Sequence, residues 1–416
     1  MKNISAWQFT IFRIIFGSYL VIHFAMLVPY ASELFSRDGI ISNPHLNPTA
    51  GLFPNPLALD LPGEFSTGFI VILAACSVLF TVGWMRPVMA VLLWFGWTAL
   101  FHRNNLIGNP SIPYIGLLLL LCSLVPRGEP GSFRQKQNGS WAMPVWVFRT
   151  AWILLAAGYT FSGITKCFSA SWIDGTALKY LLSNPLARPG FMLEMMRNVP
   201  SQILESLTYA TLLLEVSFAP LALWRRSRPW VWLGMIFMHL GIVMLIDFAD
   251  LSLGMLIVHA FTFDPEWIRP KAGKNSELFV FFDGECLMCN RFVRFIVKED
   301  AAKCIRFATL QGSSGAALRN RLGKQEIWSL LVEIDGKTIE KSAAVLRVFS
   351  AFGGHWRLLA AFAYCVPRVV RDWIYDWVAL RRHRWFARNN TCEIPSTELM
   401  ARLPQSSPSA EKLNHL

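Results

Sequence analysis

Long apolar runs fill the first two thirds of the chain, and they restrict what it can fold into. Stretches at about 8–29, 66–85, 87–101, 111–126, 144–164, 203–224, 229–247 and 248–264 are each apolar enough to read as a membrane-spanning helix. Over 416 residues, 54% are hydrophobic and only 16% charged, which argues against an ordinary soluble protein. The fold class expected is a multi-pass α-helical membrane bundle of about eight helices over residues 1–268, followed by a small α/β domain.

Charge placement orients the bundle. Lys2, Arg86, the Arg127–Lys136 stretch, the Arg225–Arg228 turn and Arg269/Lys271/Lys274 fall on one side of the segments, with Asp247 and Asp250 on the other. The excess of cations marks the cytoplasmic side, so both termini are expected in the cytoplasm. Arg103, Lys166, Lys179, Arg188 and Arg197 run against that assignment. The net charge of +12 is read as topology rather than nucleic-acid binding, because no aromatic–basic recognition motif accompanies it. The first run lacks a convincing cleavage site and reads as an uncleaved anchor. Arg13, His23, Glu205, Glu215, His239 and His259 lie within spans, where ionisable residues are either functional or paired inside the bundle.

The texture changes after a linker at 269–276. Residues 277–282 and 304–309 read as strands, 287–299 as an amphipathic helix, and 327–334 with 337–340 as a hairpin around Asp335-Gly336. Ser342–Phe352 and Arg368–Trp385 read as helices, and the tail from 394 to 416 as polar and frayed. The chemical signal is Asp283-Gly-Glu-Cys286-Leu-Met-Cys289 at the first strand-to-helix junction. A helix N-terminus lowers a thiol pKa, so Cys286 is the expected attacking thiolate. Cys289, one turn further on, can resolve a mixed disulfide. Asp283 could relay a proton or cap the helix, with an open sign of effect on Cys286. Such a pair can also be half of a zinc site or a structural pair. No second close pair exists among the eight cysteines, which favours redox chemistry and no metal.

Residues 277–393 resemble the DCC family of thiol–disulfide oxidoreductases. The resemblance rests on Phe282–Phe295, Phe307-Ala-Thr-Leu-Gln311-Gly, Lys341–Arg347, Pro367–Tyr375 and Cys392-Glu-Ile-Pro. It implies a thioredoxin-like domain, with Cys286 and Cys289 as the redox pair and Cys392 as a third exchange partner or a structural residue. The cis-proline of thioredoxin-type sites is not evident, and Ser342-Ala343 is the nearest candidate for its position. In the membrane half, Tyr159–Gly175 together with Phe101-His-Arg-Asn104 resembles the HTTM family, similar to the membrane region of vitamin K-dependent γ-carboxylase. That resemblance sets Lys166 where the carboxylase has its proposed base; an anchor at the lipid surface is the other reading of this lysine.

The expected function is a membrane-anchored thiol–disulfide oxidoreductase in a bacterial inner membrane, reducing protein or small-molecule disulfides without a cofactor. Its partners would be the disulfide substrate and the bilayer, not nucleic acid. One alternative is a membrane-domain enzyme acting on a quinone or lipid-like substrate, with the dithiol as electron donor or sensor. Another is a redox-gated transporter or sensor.

Overall fold

The computed structural model describes residues 4–59, 61–134, 141–247, 250–268, 278–300, 302–323, 329–334, 336–385, 399 and 401–403. The 269–276 linker, Asp335, Cys392 and almost all of the tail lie outside the described residues. The chain divides into two units, Met1–Phe263 and Asp264–Leu416.

Helices stand at all eight apolar stretches: α1 (Ala6–Leu27), α2 (Gly63–Thr81), α3 (Arg86–Arg103), α4 (Ile112–Leu124), α5 (Val145–Lys166), α6 (Ser201–Val216), α7 (Arg228–Leu245) and α8 (Asp250–Thr262). Among the described residues, four helical segments are long and apolar enough to cross a membrane: Ala6–Phe35, Gly63–Thr81, Val145–Lys166 and Arg228–Leu245. Apolar side chains occupy both faces. Phe9, Phe16 and Phe24 of α1 are buried while Ile14, Ile15, Ile22 and Met26 are exposed. A helix apolar all round is unsuited to a water-facing surface. The stretch expected at 203–224 is broken at Ser217, and a second short helix covers Phe218–Leu223. Pro220 has no N–H for the Val216 carbonyl and its ring crowds that group, so one continuous helix cannot form.

Close packing needs glycine where helices cross, as at Gly17 and Gly163. A Cβ on Gly17 would lie 2.1 Å from the Thr81 hydroxyl, and one on Gly163 would lie 2.5 Å from the Val216 backbone nitrogen. This unit contains a buried charge cluster. Arg13 and Arg86 are fully buried, and both bond one oxygen of Glu129, at 2.9 and 2.8 Å. Arg86 also donates to the Cys122, Val125 and Pro126 carbonyls. The reading of Arg86 as a cytoplasmic loop charge is therefore corrected: its guanidinium is inside the unit, held by a carboxylate and helix-end carbonyls. Arg103 is likewise spent on the Leu57 and Ser36 carbonyls.

The second unit is built on β1 (Leu278–Phe282), α9 (Leu287–Glu299), β2 (Ile305–Thr309), α10 (Ser313–Leu322), β3 (Leu331–Ile334), β4 (Lys337–Glu340), α11 (Lys341–Phe352), α12 (Gly354–Tyr364) and α13 (Arg368–Trp385). The sheet order is β2-β1-β3-β4. β1 and β2 are parallel, Val280 facing Phe307, and the other two pairings are antiparallel. The parallel pair requires a crossover, which α9 supplies. Alternate residues divide between two cores, as a pleat demands. Leu278, Val280, Phe282, Ile305, Phe307 and Val332 pack with Val293 and Ile296 of α9 and Ala344 and Val348 of α11. Phe281, Ala308 and Leu331 pack with Leu318 of α10. Ile334 and Lys337 close the hairpin, with Gly336 at φ +75°, a conformation open to glycine. Among the described residues there is no cis peptide bond, and Ser342 lies in the first turn of α11, bonded to Asp372. The Ser342-Ala343 position is thus a helix start, not a cis loop.

Candidate active site

The end of β1 delivers the chain into the turn Asp283-Gly284-Glu285, and α9 begins with Cys286 in the capping position, φ −88°, ψ 114°. The Cys286 amide donates to the Asp283 carbonyl at 3.3 Å and its carbonyl receives the Asn290 amide at 3.0 Å. Asn290 also ties the turn from beyond, its side-chain nitrogen 2.9 Å from the Gly284 carbonyl. Cys286 and Cys289 are free thiols.

The two sulfurs are unlike in environment. Cys286 is 1% exposed, whereas Cys289 is half-buried and lines a pocket of about 260 Å³. The Cys289 thiol hydrogen-bonds the Cys286 sulfur, and this is the main reason the Cys286 pKa is pushed down to about 6. The Cys289 amide and the Arg382 charge act in the same direction; burial and the Asp283 charge oppose them. Donating that bond, with burial and the charge on Cys286, drives the Cys289 pKa up. The geometry gives one stabilised thiolate and one retained proton in adjacent positions.

Asp283 does not cap α9. Its Oδ1 accepts the Glu285 amide at 3.1 Å and the Gln311 side chain at 2.9 Å, and its Oδ2 pairs with Arg382 at 3.2 Å. Gln311 returns a bond from the Gly284 amide at 3.1 Å. Arg382 comes from α13 and is 5% exposed. It was not among the residues singled out from sequence, and no local pattern marks it: it reaches the site through the docking of α13, 99 residues away from Asp283. Tyr375 of α13 accepts the Leu330 amide at 2.8 Å, and burial raises its phenol pKa. Apart from Ser329, the rest of the pocket wall is apolar and includes Phe282, Met288, Phe292, Leu330 and Ile374. Among the described residues no three metal-ligating side chains converge. Cys304 is set apart by burial, which raises its pKa to about 11, and by its contact with Asp300.

Lys166 belongs to the other unit. Its ammonium lies 2.6 Å from Oε1 of buried Glu215, 3.1 Å from the Ser162 hydroxyl and 4.8 Å from the Trp172 ring centre. Nearby in the same unit, the Tyr159 hydroxyl is 2.7 Å from His239 Nε2 and 3.5 Å from His259 Nδ1.

A dithiol at a helix start, one member stabilised as thiolate, defines a thiol redox domain. The sequence profile described as DCC1-like thiol-disulfide oxidoreductase matches residues 280–388. The chain is 37% identical over 125 residues to the uncharacterized protein YuxK of Bacillus subtilis (strain 168), covering 30% of this chain and 90% of that protein. It is 31% identical over 134 residues to a chloroplastic DCC family protein of Arabidopsis thaliana, covering 31% of this chain and 78% of that protein. The chain belongs, through this domain, to the DCC family. No solved structure matches it.

Proposed function

We propose that this protein is a membrane-anchored thiol–disulfide oxidoreductase in which Cys286 attacks and Cys289 resolves. The observation that carries the reading is the placement of two free thiols one turn apart at the start of α9, with Cys286 in the capping position and Cys289 lining the pocket. The Cys286 thiolate attacks a substrate disulfide and displaces one substrate thiolate, leaving a mixed disulfide. The negative charge that held the proton on Cys289 is then gone. Cys289 gives up its proton, attacks the Cys286 sulfur and releases the second substrate thiol. The substrate has gained two electrons, with one proton from Cys289 and a second from solvent, and an external dithiol must reduce the Cys286–Cys289 disulfide. Asp283 lines the same pocket as Cys289 and is the carboxylate assigned to accept its proton. The element order βαβαββααα, with the dithiol opening the first crossover helix, supports a thioredoxin-like domain.

Anchoring rests on the four long apolar helical segments of the N-terminal unit and their exposed apolar faces. Both termini are assigned to the cytoplasm, where the ambient poise favours the reducing direction. The test is trapping with the full chain: Cys289→Ser in cells, acid quench, alkylation and non-reducing gels, beside Cys286→Ser/Cys289→Ser. Reductant-sensitive adducts that require Cys286 are expected. Their absence, with no redox change in the unsubstituted protein, would overturn the assignment.

A second reading attaches to Lys166, within an HTTM-like N-terminal unit acting on a lipid-like or quinone substrate. The Tyr159–His239–His259 cluster favours a proton-handling site there. The ion pair with Glu215 favours the anchoring role for Lys166 over that of a free base. Lys166→Ala separates the two: loss of turnover with an intact dithiol supports the membrane enzyme.

A further inference from the structure

Helix α13 has two faces with different duties. One face is fixed to its own domain. Asp372 accepts from the Ser342 hydroxyl, Asp376 pairs with Lys341 at 2.7 Å, Tyr375 takes the Leu330 amide and Arg382 reaches Asp283. Four docked residues over three turns set the rotation of the helix. A second, adjoining face carries Val369, Trp373, Trp377 and Leu380, at spacings of three and four, with Val370 and the preceding Val366 beside them. These side chains are exposed: Val369 by 81%, Trp373 by 67% and Leu380 by 82%. Phe362 and Tyr364 at the end of α12 extend the exposed apolar surface.

The polar residues around this stripe identify what it fits. Both aspartates of the helix are neutralised, Asp372 by Arg368 and Asp376 by Lys341. Arg381 lies 4.6 Å from the Trp377 ring centre and Arg371 lies 5.1 Å from that of Tyr364. An apolar stripe bearing tryptophan and tyrosine, flanked by arginine and without an unneutralised acid, matches the boundary between acyl chains and anionic headgroups. A dithiol-bearing domain joined to membrane-spanning helices also meets that layer at high effective concentration. We propose that α13 lies in the membrane interface, its stripe in the acyl boundary and Arg381 toward lipid phosphates. This rests on the membrane reading of the N-terminal unit, not on the dithiol chemistry.

The test uses the full chain in vesicles of phosphatidylcholine with or without phosphatidylglycerol, doped with a phospholipid carrying a photoreactive group in its acyl chain. After irradiation and digestion, lipid adducts are located by mass spectrometry. Adducts are expected on peptides spanning 366–382, along with adducts on the α1 and α5 peptides that serve as the internal reference. Labelling of α13 should fall about fivefold in Arg381→Gln, in phosphatidylglycerol vesicles only. Val369→Glu/Trp373→Glu/Leu380→Glu should abolish it while leaving the α1 and α5 adducts. These side chains point away from the domain core, so folding is retained. Adducts on α1 and α5 with none on α13 would overturn the inference. If the triple variant then also converts a dimer to a monomer, the occupant of the stripe is a second copy. Adducts on none of the three would overturn the membrane reading itself.

Discussion

Replacing Cys289 with alanine removes the donor that the Cys286 thiolate depends on most. A hydrogen bond to a charged group contributes about 1.5–3 kcal/mol. At ~1.4 kcal/mol per pKa unit this is about 1–2 units. The Cys286 pKa should therefore rise from about 6 to ~7–8, because the Cys289 amide and Arg382 still act on it. The thiolate fraction at pH 7 then falls from about nine tenths to between about a half and a tenth. A more basic thiolate is intrinsically more nucleophilic, with a Brønsted slope of ~0.4–0.5, so the alkylation rate at pH 7 changes by no more than about threefold. The informative quantity is the pH midpoint, not the rate. It can be read on the full chain by isotope-coded iodoacetamide over a pH series, quantified on the peptide that contains Cys286. Cys289→Ser, which keeps an O–H donor, should move the midpoint less than alanine. A midpoint near the ordinary 9.0 in the unsubstituted protein, or one that alanine leaves in place, would refute the argument.

Further outcomes can be checked separately. Arg382→Met should raise the Cys286 midpoint in the same alkylation series; it should also cost about 3–5 kcal/mol in the thermal unfolding of the domain, because Asp283 loses its buried partner. Glu129→Gln should leave Arg13 and Arg86 buried without their carboxylate, lowering stability in detergent by about 3–5 kcal/mol by thermal aggregation assay. Ile296→Ala, at a fully buried core position, should cost about 2–5 kcal/mol by denaturant titration. Burial lowers the His355 pKa from 6.5 to about 4, so the folded state resists the proton that the unfolded chain accepts. Its neutral form is fully compatible with the fold above pH 6.5. Stability should be lost as pH falls from there through about 4, and His355→Gln should remove that part of the slope.

Local patterns made much of this architecture readable. A short continuous apolar run placed β1 to within a residue, β2 also lies within a residue of its expected bounds, and α9 and α13 fall where periodicity and Pro367 set them. Helix α10 escaped notice because Ser313-Ser314-Gly315 opens it and Leu318 is its main apolar anchor, too little for a 3.6-residue signal. The dithiol could be read from spacing alone. The asymmetry between its sulfurs could not, since it depends on how α9 packs and on which sulfur meets the pocket. Arg382 and Glu129 share one reason for being illegible: each acts on a residue far away in the chain, and only tertiary docking brings the charges together.

The Arg13–Glu129–Arg86 junction also constrains how the protein can be made. Helix α1 carries a fully buried cation, yet its carboxylate partner lies 116 residues downstream. At about 5–20 residues per second, a ribosome exposes Arg13 roughly 6–25 s before Glu129 exists. In a bilayer, α1 cannot settle with that charge unmatched. On the membrane reading proposed above, it waits beside the insertion machinery, or at the surface, until α2, α3 and α4 have followed. The N-terminal unit is thus expected to enter the membrane as a group of at least four helices rather than one span at a time.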